Sequence, residues 1–87
     1  MIFKIIDVDF IKDYQLSLTF NNGETKTVDL ENNLNGEVFE PLKDKSLFTQ
    51  YALTSDTIEW VNGADFAPES LYKLALEQEE NQHAVNQ

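Results

Sequence analysis

The chain opens with apolar residues on both parities of an extended run: Phe3 and Ile5 on one, Ile2, Ile6 and Val8 on the other. Such a run predicts an interior strand covered on both faces. The next segment is cleaner. Tyr14, Leu16, Leu18 and Phe20 alternate with Gln15, Ser17, Thr19 and Asn21, the period-2 pattern of a strand with one wet face. Asn21-Asn22-Gly23 follows, and Glu24 to Leu30 reads as a third strand. A two-residue loop at Asn22-Gly23 would set Leu18 opposite Thr27. A three-residue loop with Gly23 left-handed sets Leu16 opposite Val28 and Tyr14 opposite Leu30 instead. Facing residues share one side of the sheet, and a slip of one residue turns the whole set over, so burial selects the longer loop. Glu24 and Lys26 then fall at the end of that face, within reach of water.

Polar, turn-rich residues 31–36 precede a short helix expected over Val38 to Lys43, with Pro41 tolerated in its first turn. Phe39, Leu42, Leu47 and Phe48 are placed to plug one end of the core. A second hairpin is predicted around Ser55-Asp56, with Leu53 facing Ile58 and Tyr51 facing Trp60. Asn62-Gly63 makes a turn. Asp65 stands ahead of a helix expected from Pro68 to Leu76, as its cap, and Leu71, Leu74 and Ala75 form the inward stripe, widened by Tyr72 and Leu76. From Glu77 to Gln87 the chain turns to Glu, Gln and Asn, a polar C-terminal tail expected to be flexible and not to pack. The reading is a single α+β domain over residues 1–76. It has a small, mainly antiparallel sheet of four or five strands, a short helix near residue 40 and a C-terminal helix packed on the sheet.

Composition narrows the chemistry. Among 87 residues, 16 Asp and Glu stand against 6 lysines and no arginine, a formal charge of −10. That balance predicts a soluble, cytoplasmic protein with no nucleic-acid ligand, since a polyanion is repelled and the bidentate phosphate contacts of arginine are missing. It favours a protein partner, one with a basic surface, and is compatible with a homo-oligomer. No apolar run approaches a membrane span, and no cysteine is present for thiolate chemistry or thiolate-bound metal. The lone histidine, His83, lies in the polar tail, and no serine sits in a nucleophile-elbow context, so no Ser–His relay can be built. The three glycines are isolated and make no phosphate cradle. Catalysis is not expected, and neither is a cofactor.

Two constellations stand out. Asp7 and Asp9, two apart on a strand, leave the same face, and Asp13 is close in sequence. They could offer oxygens to a divalent cation, but a calcium-loop pattern is missing, and strand-edge charge explains them more simply. Trp60, Asn62 and Asp65 form the more distinctive segment. It reads either as a small recognition site or as a buried strand tryptophan, a turn and a helix cap, and the structural reading is favoured because turn and cap chemistry gives each residue a task.

Several signatures fall in a recognisable order: Asp13-Tyr14, Phe20-Asn21-Asn22-Gly23-Glu24, Val38-Phe39-Glu40-Pro41-Leu42-Lys43-Asp44, Ile58-Glu59-Trp60-Val61-Asn62-Gly63-Ala64-Asp65 and Pro68-Glu69-Ser70-Leu71-Tyr72. Together, over about residues 3 to 73, they resemble domain-of-unknown-function family 2442, made of short prokaryotic proteins. One departure is Val61, where that family usually carries proline, which should loosen the turn without changing the fold. The resemblance implies a small α+β domain without an established activity. Some longer relatives look like this domain followed by a helix-turn-helix segment, and some short ones stand beside another small protein, an arrangement that suggests a toxin–antitoxin-like pairing. The expected function is a non-enzymatic interaction module, antitoxin-like or an accessory partner of a neighbouring gene product. The alternative is a small-molecule or metal-binding protein, or a minor enzyme, built on Trp60, Asn62 and Asp65.

Overall fold

The computed structural model describes residues 2–85. Five strands and two helices follow in order: β1 (Ile5–Lys12), β2 (Gln15–Phe20), β3 (Thr25–Asp29), α1 (Lys45–Phe48), β4 (Tyr51–Leu53), β5 (Ile58–Trp60) and α2 (Pro68–Val85). Single 3-10 turns at Glu31–Asn33 and Glu40–Lys43 precede α1, and Pro41 lies in the first turn of the second. All pairing between strands is antiparallel. The five strands divide into a three-stranded sheet, β1-β2-β3, and the hairpin β4-β5.

Burial sets the first hairpin as the alternation requires. Leu16 faces Val28, Thr19 faces Thr25, and Leu30 N–H donates to the Tyr14 carbonyl at 2.9 Å. The loop is Asn21-Asn22-Gly23, closed by Gly23 N–H on the Phe20 carbonyl, with Gly23 at φ +87°. Tyr51 pairs with Trp60 and Leu53 with Ile58 across the second hairpin, again as expected. The core unites these elements with the plug: Leu16, Leu18, Phe20, Val28, Leu30, Leu42, Phe48, Ile58, Trp60, Leu71 and Ala75 are buried. Phe39, Leu47, Tyr72 and Leu74 pack against them, half-buried.

β1 departs from expectation. It is not covered on both faces: Ile6, Phe10 and Ile11 are 54%, 41% and 44% exposed. The register explains the misleading pattern. Ile5 faces Phe20, Val8 faces Leu18 and Phe10 faces Leu16, while irregularities interrupt the ladder between Ile5 and Asp7 and again between Phe10 and Lys12. Each bulge adds one unpaired residue, so the inward set changes parity from Phe3 and Ile5 to Val8 and Phe10. Apolar residues on both parities therefore record a bulge rather than a doubly covered strand.

Helix α2 also differs. It starts at Pro68, and the residue ahead of it is Ala67, whose carbonyl accepts from Leu71 N–H at 3.1 Å. Asp65 is not its cap. Asp65 lies too far upstream and instead bridges Glu59 through the backbone, which closes the outer side of β5. The helix continues past Leu76 to Val85. Gln78 and Glu79, assigned from sequence to a tail that does not pack, meet β3: the Gln78 amide brackets Asp29, accepting from its N–H at 2.9 Å and donating to its carbonyl at 2.8 Å. Periodicity ended the helix where apolar residues stopped. Polar side chains that satisfy a strand edge extend its useful length.

Candidate interaction surface

The Trp60–Asp65 segment does not converge on a pocket. Trp60 is 2% exposed, its indole N–H donates to the Phe48 carbonyl at 2.7 Å, and its ring packs between Phe48 and Phe66. Asn62 is exposed and holds two backbones together, donating to the Val38 carbonyl at 2.8 Å and accepting from Ala64 N–H at 3.2 Å. Gly63, at φ +89°, completes that turn. Asp65 points to solvent from the bridge beside β5. The three residues serve the core, a turn and a strand edge respectively.

The surface that structure adds lies along β1. Ile6 and Ile11 occupy the two bulges, and Phe10 turns only part of its ring onto Phe48, at 6.4 Å between centroids. Between them stand Asp7 and Asp9, both facing the polar side of the sheet opposite Thr19 and Ser17, as their spacing predicts. Asp7 accepts from Val8 N–H at 3.0 Å, which occupies an outward donor of the strand. Among the described residues neither carboxylate has a lysine within ion-pair distance, whereas Asp13 is held by Lys45 at 2.9 Å and Asp56 by Lys4 at 3.8 Å.

The second hairpin runs beside this strand without completing a ladder. Ile5 N–H donates to the Asp56 carbonyl at 2.8 Å, but among the described residues no strand pairing joins β1 to β4. Tyr51 stands at this seam. Burial raises its phenol pKa, and the nearby charges of Asp9 and Asp7 raise it further. Leu53 on β4 is 43% exposed as well. Sequence reasoning missed Ile6, Phe10 and Ile11 as surface residues. The available signal was the parity change itself, which two-sided burial and a bulge produce alike.

The opposite flank of the sheet is closed. Lys26 Nζ lies 3.0 Å from Glu79 and 3.4 Å from Glu24, and 5.6 Å from the centre of the Tyr72 ring. The lysine expected to reach water is instead enclosed, with only 10% of its side chain exposed. Its pKa is raised, first by the hydrogen bond to Glu79; that of Glu24 is lowered, first by the Tyr72 hydroxyl that donates to it at 2.7 Å. A groove of about 350 Å³ runs here, lined by residues including Gln15, Thr27, Lys26 and Gln78. Gln78 and Lys26 already spend their polar atoms on Asp29 and the two glutamates.

A third feature is basic. Lys45 bonds Asp13 and sits 5.7 Å from the Tyr14 ring centre, the Tyr14 hydroxyl donates to the Lys43 carbonyl, and Lys12 precedes Asp13. Three of the six lysines therefore gather about the β1–β2 turn, where Asp13 itself adopts φ +49°. Among the described residues no three His, Asp or Glu side chains form a metal-binding group. No helix in that range is long and apolar enough to cross a membrane.

Comparison with known proteins agrees with this fold. The sequence model of a family described as protein of unknown function (DUF2442) matches residues 5–77. No curated protein matches the chain. Among solved structures, a Nitrosomonas europaea protein named "putative DNA binding protein" superposes with a TM-score of 0.78 at 25% identity. The match covers 92% of this chain and 53% of that one, so the chain spans about half the length of its structural relative. That relationship corrects the expectation of no nucleic-acid ligand. The charge of −10 averages over the whole surface, whereas phosphate contacts depend on local lysines.

Proposed function

We propose that this chain, which belongs to the family of proteins of unknown function DUF2442, is a non-enzymatic interaction module that docks a protein partner along β1. The observation that carries the reading is the exposure of Ile6, Phe10 and Ile11 on one strand, where β2, β3 and β5 bury their apolar residues. Exposed apolar side chains grouped on one strand mark an interaction surface more readily than single ones scattered over a fold. The partner belongs to an assembly that binds DNA, in keeping with the name of the Nitrosomonas protein. An accessory role beside a neighbouring gene product fits the same scheme.

Cross-linking in the native cells, followed by capture of the tagged full-length chain, tests this. A protein recovered with the wild type and lost with Ile6→Lys, at unchanged circular dichroism, supports the module. Recovery that ignores the substitution, or no protein recovered, overturns it.

A second reading rests on Lys12, Lys43 and Lys45: that this half of the architecture itself touches phosphate. Fluorescence anisotropy on labelled duplex DNA decides it. Binding that weakens with salt and disappears when the three lysines become glutamine supports phosphate contact at the β1–β2 turn. Binding indifferent to those substitutions refutes it.

A further inference from the structure

We infer that the β1 surface takes an extended peptide segment carrying apolar side chains together with lysine or arginine, held by side-chain contacts rather than by addition of a strand. The inference rests on the interaction-module reading and specifies the chemistry of its partner. From Ile6 to Ile11 an extended chain covers about 17 Å, the span of about five facing residues. Within that distance the exposed Ile6 and Ile11 bracket the strip, and Asp7 and Asp9 leave the polar side of the strand, opposite to Phe10, whose ring turns toward Phe48.

Charge chooses the occupant. Two other carboxylates near β1 are already matched, Asp13 with Lys45 and Asp56 with Lys4, whereas Asp7 and Asp9 lack lysine partners among the described residues. A neutral segment would desolvate two uncompensated carboxylates, and an acidic one would also set like charges in close opposition. A second copy of the chain meets the same objection. It brings another −10 of charge, and centring two antiparallel β1 strands on Val8 sets Asp7 against Asp9 of the other copy. Geometry also excludes simple strand addition, because Asp7 occupies the Val8 N–H, Asp56 occupies the Ile5 N–H and β4 lies alongside. Side chains remain free to dock across the strip. Ile6 and Ile11 supply the apolar contacts at its two ends, and Asp9 with the open oxygen of Asp7 supplies the anionic contact between them.

Three eight-residue peptides probe this surface on the 15N-labelled full chain: alternating valine and lysine, alternating valine and glutamate, and alternating serine and lysine. The valine–lysine peptide is expected to shift the amide resonances of Ile6 to Ile11. The other two should bind at least tenfold more weakly. Asp7→Asn with Asp9→Asn should weaken the first peptide about tenfold and remove its salt dependence, while Ile6→Lys should abolish binding. Equal binding of the lysine and glutamate peptides, shifts confined to another face, or no binding of the valine–lysine peptide overturns the inference. So does concentration-dependent self-association that moves the same resonances without peptide, or their movement by duplex DNA. Each of those outcomes leaves the capture experiment with Ile6→Lys to decide the interaction module itself.

Discussion

The two flanks of the three-stranded sheet are finished in opposite ways. Along β3, helix α2 supplies polar groups: Gln78 satisfies both backbone atoms of Asp29, and Glu79 with Glu24 encloses the Lys26 ammonium. Along β1, the second hairpin makes one backbone–backbone hydrogen bond among the described residues, Ile5 N–H to the Asp56 carbonyl, and Ile6, Phe10 and Ile11 remain exposed. A sheet edge is a liability unless paired, covered or charged, and this molecule covers one flank while leaving the other apolar, bulged and acidic. The difference separates stability from recognition. Substitutions on the closed flank and in the core beneath should cost folding free energy, and those on β1 should spare it.

The largest effect should come from beneath the open flank. Trp60→Ala removes a ring buried against Phe48 and Phe66 and leaves the Phe48 carbonyl without its indole donor. The expected loss is about 3–5 kcal/mol, the usual penalty for truncating a large buried aromatic, measured by urea titration. A near-native midpoint would show that the second hairpin contributes little to the cooperative fold.

On the closed flank, Gln78→Leu keeps the bulk of the side chain and deletes both hydrogen bonds to Asp29. Part-buried backbone groups left unpaired make a cost of about 1–3 kcal/mol the expectation. A variant as stable as the wild type would mean that water replaces the amide and that the edge is not sealed. Next in size is Gly23→Val, which forces a β-branched residue into the left-handed region at φ +87° with no steric obstacle around it. About 1 kcal/mol or more should be lost through backbone strain alone.

These cases show what could be read from the sequence. The hairpin register was legible because alternating Leu16, Leu18 and Phe20 allow a single burial-consistent pairing with Val28, and Gly23 marks the turn that permits it. The second hairpin was legible for the same reason, through Ile58 and Trp60. The β1 surface was not, because a bulge changes side-chain parity without leaving a residue-type signature. The end of α2 was lost because Gln78 and Glu79 act through polar bonds to residues some fifty positions earlier, and hydrophobic periodicity does not register such bonds. Asp65 failed as a cap for a local reason. A capping side chain reaches the first turn from the residue adjoining it, and here that residue is Ala67.

The clamp on Lys26 gives a smaller, pH-dependent effect. The lowered pKa of Glu24 contributes stability that is complete above the ordinary glutamate range and fades as pH falls through the lowered value. The raised pKa of Lys26 contributes stability that is complete below the ordinary lysine range and fades as pH rises through the raised value. Both contributions are in force at neutral pH. The gap in urea midpoint between wild type and Lys26→Met should be flat there and narrow toward acid and toward strong alkali. A gap that does not change with pH would assign the role of Lys26 to packing of its methylene stem on Tyr72.

The smallest effect is the one that matters most for function. Ile6 lies at a bulge, is 54% exposed and takes no part in the strand pairing of β1 with β2. Replacing it with lysine removes little buried area and leaves the Ile5 N–H to Asp56 bond in place, so stability should change by no more than about 0.5 kcal/mol, the range for surface substitutions. The new ammonium also stands beside Asp7 on a strand that bears unmatched carboxylates, which offsets part of any loss. A destabilisation of about 2 kcal/mol or more would place Ile6 in the cooperative core, with the second hairpin folded over it in solution. The apolar strip would then be part of the fold, and the contrast between the flanks would reduce to two ways of closing a sheet. A neutral result together with lost partner capture keeps the contrast intact and assigns the exposed isoleucine to recognition.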